Sequence, residues 1–309
     1  MAKVFVSYSH KQGAWVWDRL VPVLRAGDAE VLIDKERFQA GVAVAGQMDK
    51  TQDRADVHLL CLSTDYLASA ACRSEMERAI GCDPQFTRAL DPRVKRGAVV
   101  PIRLDAAPLP AAIADPDPLW ADMRDDTKAE PWRLLLDRCD ADLGLAAPIW
   151  LAARDDIVRY LKRGQSLNLL VRRDGIRWRP LITDIQENYV ADLGWVDLLD
   201  PRTSTRDGLL NNILSQLGAR EKVRQPPNDL ADFARILSAM PALVRLSVGH
   251  FDLASNRKRY GLDFYSCLRW LTMETRKLVL LVESRTPFEA LLPDDNPLSC
   301  IDIKEVALG

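Results

Sequence analysis

The chain has 309 residues, 48% of them apolar and 28% charged, which is room for two domains that each bury their own core. Its 42 basic and 44 acidic side chains leave a formal charge of -2, which excludes a global attraction to nucleic acid or anionic membrane and leaves only local affinity for either. No apolar stretch approaches the length of a bilayer span, and the opening "MAKVFVSYSH" enters a strand without the layout of a signal peptide.

The first 145 residues alternate strand and helix signals. Strands are predicted at 3–9 ("KVFVSYS"), 29–34 ("AEVLID"), 56–63 ("DVHLLCLS") and 97–104 ("GAVVPIRL"). Between them, "WVWDRLVPVLRAG" (15–27) reads as a helix kinked by Pro22 and closed at Gly27. "KERFQAGVAV" reads as a loop, with a helix following through "GQMDKTQDRA", and "AACRSEMERAIG" as a third helix. Continuous apolar strands separated by helices predict a parallel sheet covered on both faces, with ligands collecting beyond the carboxyl ends of the strands.

A Pro/Asp-rich loop ("DAAPLPAAIADPDPLW"), then "ADMRDD" and a helical "EPWRLLLDRCDADLG", lead to a domain boundary near Leu145, giving domains 1–145 and 146–309. A second α/β pattern follows, with strands at 166–172, 193–200, 242–251, 277–284 and 300–308 and helices at "TRDGLLNNILSQLG", "NDLADFARILSAM" and "LDFYSCLRWLTMETR". The six cysteines (61, 72, 82, 139, 267, 300) form no CxxC pair and read as reduced thiols of a cytoplasmic protein. With histidine only at 10, 58 and 250, no metal site is expected.

Four ordered stretches of the first domain resemble the Toll/interleukin-1 receptor (TIR) family in its bacterial form: "VFVSYSH", "VLIDKERFQAG" with Asp34 and Gly41, "RADVHLLCLSTDYLASAACRSEME", and "VVPIRL". The resemblance covers roughly the first 145 residues and implies a flavodoxin-like parallel-sheet TIR domain. Many bacterial TIR domains cleave NAD at the nicotinamide–ribose bond, with an essential glutamate after Cys-x-x, and the matching position here is Glu75. A carboxylate suits that reaction, because departure of nicotinamide leaves an oxocarbenium-like ribosyl cation. The competing reading of Glu75 is a solvated first-turn glutamate favoured by the helix dipole.

The same resemblance gathers Ser7, Ser9 and His10 at the end of the first strand, and Tyr66 and Cys72, around the substrate NAD. Cys72 reads as a packing residue rather than a nucleophile, since no histidine stands near it in sequence. The family often has tryptophan before that cysteine; this chain has Ala71, so another group such as Tyr66 or Trp15 is expected to complete the pocket. In the loop 35–45, Lys35 and Arg37 read either as contacts to the dinucleotide phosphates or as solvated charges, and Asp34 as a residue that orders the loop. His10 reads equally as pocket lining or as a surface histidine.

Residues 146–309 loosely resemble a P-loop ATPase core of the signal-transducing kind, with "RRDGIRWRP" where a Gly-rich loop ending in Gly-Lys-Ser/Thr belongs. Only Gly175 remains and no lysine follows, so the phosphate cradle and its charge are both missing, and a degenerate, pseudo-ATPase module is expected. Arg172, Arg173, Arg177, Trp178 and Arg179 read either as a phosphate or nucleic-acid contact, or as a solvated loop whose Trp178 tucks into the domain. Asp252 resembles a magnesium-holding acid or a turn residue. The chain ends directly after a strand, which is expected of a domain relying on a partner or on self-assembly, and equally of a shortened chain.

Together these readings imply an NAD-cleaving effector of bacterial antiphage defence, latent until its TIR domains associate or a partner ATPase or sensor engages the second domain. The alternatives are a non-catalytic TIR scaffold and a TIR enzyme that makes a cyclic nucleotide messenger.

Overall fold

The computed structural model describes residues 1–33, 50–83, 86, 97–115, 120–141, 147–172, 177–218, 229–256 and 260–308. Asp34, Lys35, Arg37, Gly41, Arg173 and Gly175 lie outside the described residues. The chain divides into two compact units, Met1–Leu151 and Ala152–Gly309. Among the described residues no helix is long and apolar enough to cross a membrane.

In the first unit, β1 (Lys3–Ser7), β2 (Glu30–Leu32), β3 (Val57–Leu62), β4 (Ala98–Arg103) and β5 (Ala121–Asp122) form a five-stranded parallel sheet in the order β2-β1-β3-β4-β5. This is the flavodoxin-like order. Every residue of β3 is buried, as a central strand covered on both faces requires, and that is why it reads as an unbroken apolar run. Helix α1 runs through the contiguous segments Gly13–Trp15, Val16–Leu20 and Val21–Ala26. The irregularity expected at Pro22 is a π-turn over Val16–Leu20, placed just before the residue that has no N–H to give. The helix closes at Gly27, whose Cα lies so near Ala141 that a Cβ would come within 2.9 Å of it. After β3 come α2 (Thr64–Ala68) and α3 (Ala70–Cys82), and after β5 comes α4 (Ala129–Arg138). Strand β5, with two residues, is too short to show a period and was not expected from "ADMRDD".

The division between the units falls within helix α5 (Ala147–Lys162), and the second unit begins at Ala152. Its strands β6 (Leu167–Leu170), β7 (Leu193–Asp197), β8 (Val244–Gly249), β9 (Leu278–Ser284) and β10 (Lys304–Ala307) are all parallel, in the order β10-β6-β9-β8-β7. Counted within the unit this is 5-1-4-3-2, the order of the P-loop ATPase core that the sequence resembles. The longer helices after β6 are α6 (Trp178–Asn188), α7 (Arg206–Gln216), α8 (Leu230–Ala239) and α9 (Gly261–Arg269). Helix α6 was not expected, because Pro180 and the arginines read as a loop. A proline is tolerated in a first turn, and Trp178, Leu181, Ile182 and Ile185 bury one face at helical spacing.

The first sheet holds buried titratable groups, Cys61 and His58 among them. His58, on β3, is 2% exposed, and its Nδ1 has no hydrogen-bond partner among the described residues. Gly97 packs so closely that a Cβ there would come within 2.3 Å of the ring. Burial pulls the His58 pKa down to about 4, against the weaker opposing pull of Asp83 and Asp53. Between the ordinary value of 6.5 and about 4, the unfolded chain therefore binds a proton that the folded chain refuses. Stability is full above that window and falls with pH through it, by up to about 3 kcal/mol. Urea titrations on either side of the window should show a smaller loss for His58→Phe than for wild type; equal losses would contradict the assignment.

Candidate functional site

The order of the first sheet places β2 on one side of β1 and β3 on the other, so the connections diverge between β1 and β3. Such a switch point opens a crevice at the carboxyl ends of the strands. Ser7 is the last residue of β1, and β3 ends at Leu62, one residue before the turn that starts α2.

Two serines set the helices that follow. Ser63 caps α2 by accepting from the Tyr66 amide at 3.1 Å, and Ser69 caps α3 by accepting from the Cys72 amide at 3.3 Å. With Ser69 as the cap, Glu75 stands in the second turn of α3, past the reach of a first-turn dipole effect. The reading of Glu75 as a first-turn glutamate is corrected accordingly. Its side chain is half-buried at the end of β1, where Ser7 Oγ donates to its Oε2 at 2.5 Å. Ser7 Oγ is also 2.8 Å from the hydroxyl of Tyr66. The Glu75 carbonyl accepts from Nε2 of buried Gln52 at 2.7 Å, which pins the helix backbone at the same residue.

The remaining predicted residues divide by depth. Ser7 and Tyr66 are 1% and 0% exposed, and burial pushes the Tyr66 phenol well above its ordinary pKa. Cys72 is buried with Leu60, Leu62, Met76 and Val99, and its Sγ donates to the Tyr8 carbonyl at 3.7 Å. Ser9 caps the short turn His10–Gln12, and His10 is exposed, with its ring edge-on to Tyr8 at 5.9 Å. That turn is tied to α2 by Lys11 and Asp65 at 2.6 Å. Trp15 stacks on Trp132 at 6.1 Å, and its Nε1 donates to Asp126 at 2.9 Å. Gln52 went unnoticed in the sequence, where nothing marks a contact 23 residues away.

In the second unit, the carboxyl ends of β7, β8 and β9 carry Asp197, Gly249 and Glu283. Trp178 opens α6 with its ring over Gly249, where a Cβ would come within 2.4 Å of it. Arg179 pairs with Asp197 and lies 5.3 Å from the centre of the Trp195 ring. His250 Nδ1 is 2.8 Å from the other Asp197 oxygen, and the His250 amide donates to Glu283 at 2.6 Å. Burial works to raise the Asp197 pKa, but the Leu199 amide, His250 and Arg179 outweigh it and hold it low. Burial pushes Glu283 up. Of the basic run, Trp178 is thus packed and Arg179 ion-paired. Asp252 opens the short helix Asp252–Asn256 and accepts from the Arg285 amide at 2.8 Å, 33 positions along the chain.

Residues 4–136 match the family model described as TIR domain. Residues 4–136 of the first unit are a TIR domain, and the second unit holds a second parallel sheet of P-loop-like strand order. Similar solved structures include the TIR domain of the Toll-related receptor TRR-2 from the lower metazoan Hydra magnipapillata, at 15% identity over 45% of this chain and 98% of that one, with a TM-score of 0.38. Another is a Walker-type ATPase of Pyrococcus abyssi, at 15% identity over 50% of this chain, with a TM-score of 0.37; the match spans 52% of the ATPase. No curated protein matches the chain.

The Trp178–Gly249 contact leaves no room for a side chain. Gly249→Ala is expected to destabilise the second unit by roughly 1–3 kcal/mol through overpacking. A thermal melt indistinguishable from wild type would contradict this.

Proposed function

We propose that the chain is an NAD glycohydrolase, which splits NAD into nicotinamide and ADP-ribose or its cyclic form, with Glu75 as the catalytic carboxylate. The observation that carries this reading is the position of Glu75: half-buried at the carboxyl end of β1, beside the switch point, with one oxygen held by Ser7. Breaking the C1′–N bond sends the bonding pair to the pyridinium nitrogen, so nicotinamide leaves neutral and needs no general acid. The positive charge passes to the ribose, where an oriented carboxylate steadies it until water or an adenine nitrogen attacks C1′. A single acidic side chain therefore suffices, in keeping with the few histidines of the chain.

The reading extends to latency. TIR domains commonly self-associate, and a site completed between two copies is silent until they meet. Orientation alone is worth ~7–11 kcal/mol of barrier. Control by association, with the second domain as the sensor of an infection or the docking point of a partner, suits an effector of antiphage defence.

Nicotinamide release should be followed at rising protein concentration and with a crowding agent. Activity per molecule is expected to rise with concentration, and Glu75→Ala to lower kcat roughly 10²–10³-fold with the fold intact. Product chromatography separates hydrolysis from cyclisation and from a cyclic nucleotide messenger. A Glu75→Ala protein as fast as wild type removes the assignment, and a well-assembled wild type that releases nothing favours the scaffold.

A further inference from the structure

We propose that Ser7 and Tyr66 are positioning residues that never touch substrate: a buried two-hydroxyl relay, Tyr66 to Ser7 to Glu75, holds the catalytic carboxylate in place. The inference rests on the reading of Glu75 as the catalytic group, and it goes beyond that reading by removing two residues from the substrate-binding set and giving them a different task.

A serine hydroxyl has a single proton to donate. Ser7 Oγ lies 2.5 Å from Glu75 Oε2, and an ionised carboxylate only accepts, so the Ser7 proton is committed there. The contact between Ser7 Oγ and the Tyr66 hydroxyl, at 2.8 Å, must then be donated by Tyr66. Chained donors of this kind polarise one another, and the last bond, to a charged acceptor, is the strongest. At 1% and 0% exposure neither hydroxyl is open to a dinucleotide.

The anchoring is rigid at each step. Tyr66 is fixed by its own amide on the Ser63 cap and by full burial against the apolar cluster of β3 and α3. Ser7 is fixed by its place at the end of β1, which pairs with β3 through Leu60. Glu75 is held at its backbone by Gln52 and at its carboxylate by Ser7, which removes most of the freedom of a long side chain. A carboxylate that faces a short-lived cation gains from being oriented before that charge appears.

Two measurements test the relay. In the free protein, carbon-detected NMR titration of the Glu75 carboxyl reads the hydrogen bond directly, because a donor to the charged form favours that form. Its midpoint is expected to move up in Ser7→Ala, to move less far in the same direction in Tyr66→Phe, and to return in Ser7→Thr. A midpoint unmoved in both of the first two variants overturns the proposal. In nicotinamide release, each of those variants is expected to lower kcat about 10- to 100-fold with KM changed by less than about twofold. Tyr66→Phe is expected to cost little further in a Ser7→Ala background, since its effect passes through Ser7. A raised KM at unchanged kcat, or losses that multiply, overturns the relay in favour of independent substrate contacts. Tyr66→Phe removes one oxygen and keeps the ring, so the relay stays testable even where Ser7→Ala unfolds. If the wild type releases no nicotinamide, the catalytic reading fails, and the titration alone decides the relay.

Discussion

The hydrogen bond from Ser7 to Glu75 joins the end of a strand to the middle of a helix, and the organisation of the first domain converges on it. It requires β1 to end at the switch point, β3 to run beside it, and α3 to return along the same edge of the sheet. Each requirement has a local cause: the apolar run that makes β3 a covered central strand, and the two serines that cap the helices after it. A change in any of these would move the carboxylate before it touched the chemistry of the carboxylate itself.

The second domain makes the opposite use of the same kind of location. Its parallel sheet also presents charged groups at the carboxyl ends, yet there they satisfy one another: Arg179 with Asp197, Asp197 with His250, and the His250 amide with Glu283. The ring of Trp178 covers the glycine between the two acids. The Glu75 end of the first sheet keeps a half-exposed carboxylate instead.

The parts of the fold legible in the sequence were those with a strong period or cap. All the long strands of both sheets fall within the predicted runs, because buried parallel strands are continuously apolar. Strand β5 is two residues long and leaves no pattern, and α6 is hidden because Arg177 caps it and Arg179 and Pro180 stand in its first turn. Glu75 was legible through its neighbours in the ordered motif, whereas its bond to Ser7, 68 positions away, was not. Ser7 and Tyr66 could be placed near the glutamate from the strand ends, but not at what depth, since depth is decided by packing across the sheet. Gln52 shows the same limit.

In the proposed reaction, positive charge builds up on the ribose in the transition state and Glu75 meets it. The most direct measurement is the secondary kinetic isotope effect of deuterium at C1′ of the nicotinamide ribose, taken on nicotinamide release under single-turnover conditions with assembled protein. Rehybridisation of C1′ toward a cation predicts a normal effect, clearly above unity, in the wild type. Efficient release with an effect at unity would contradict cation formation in the step that limits the rate, and with it the role given to the carboxylate.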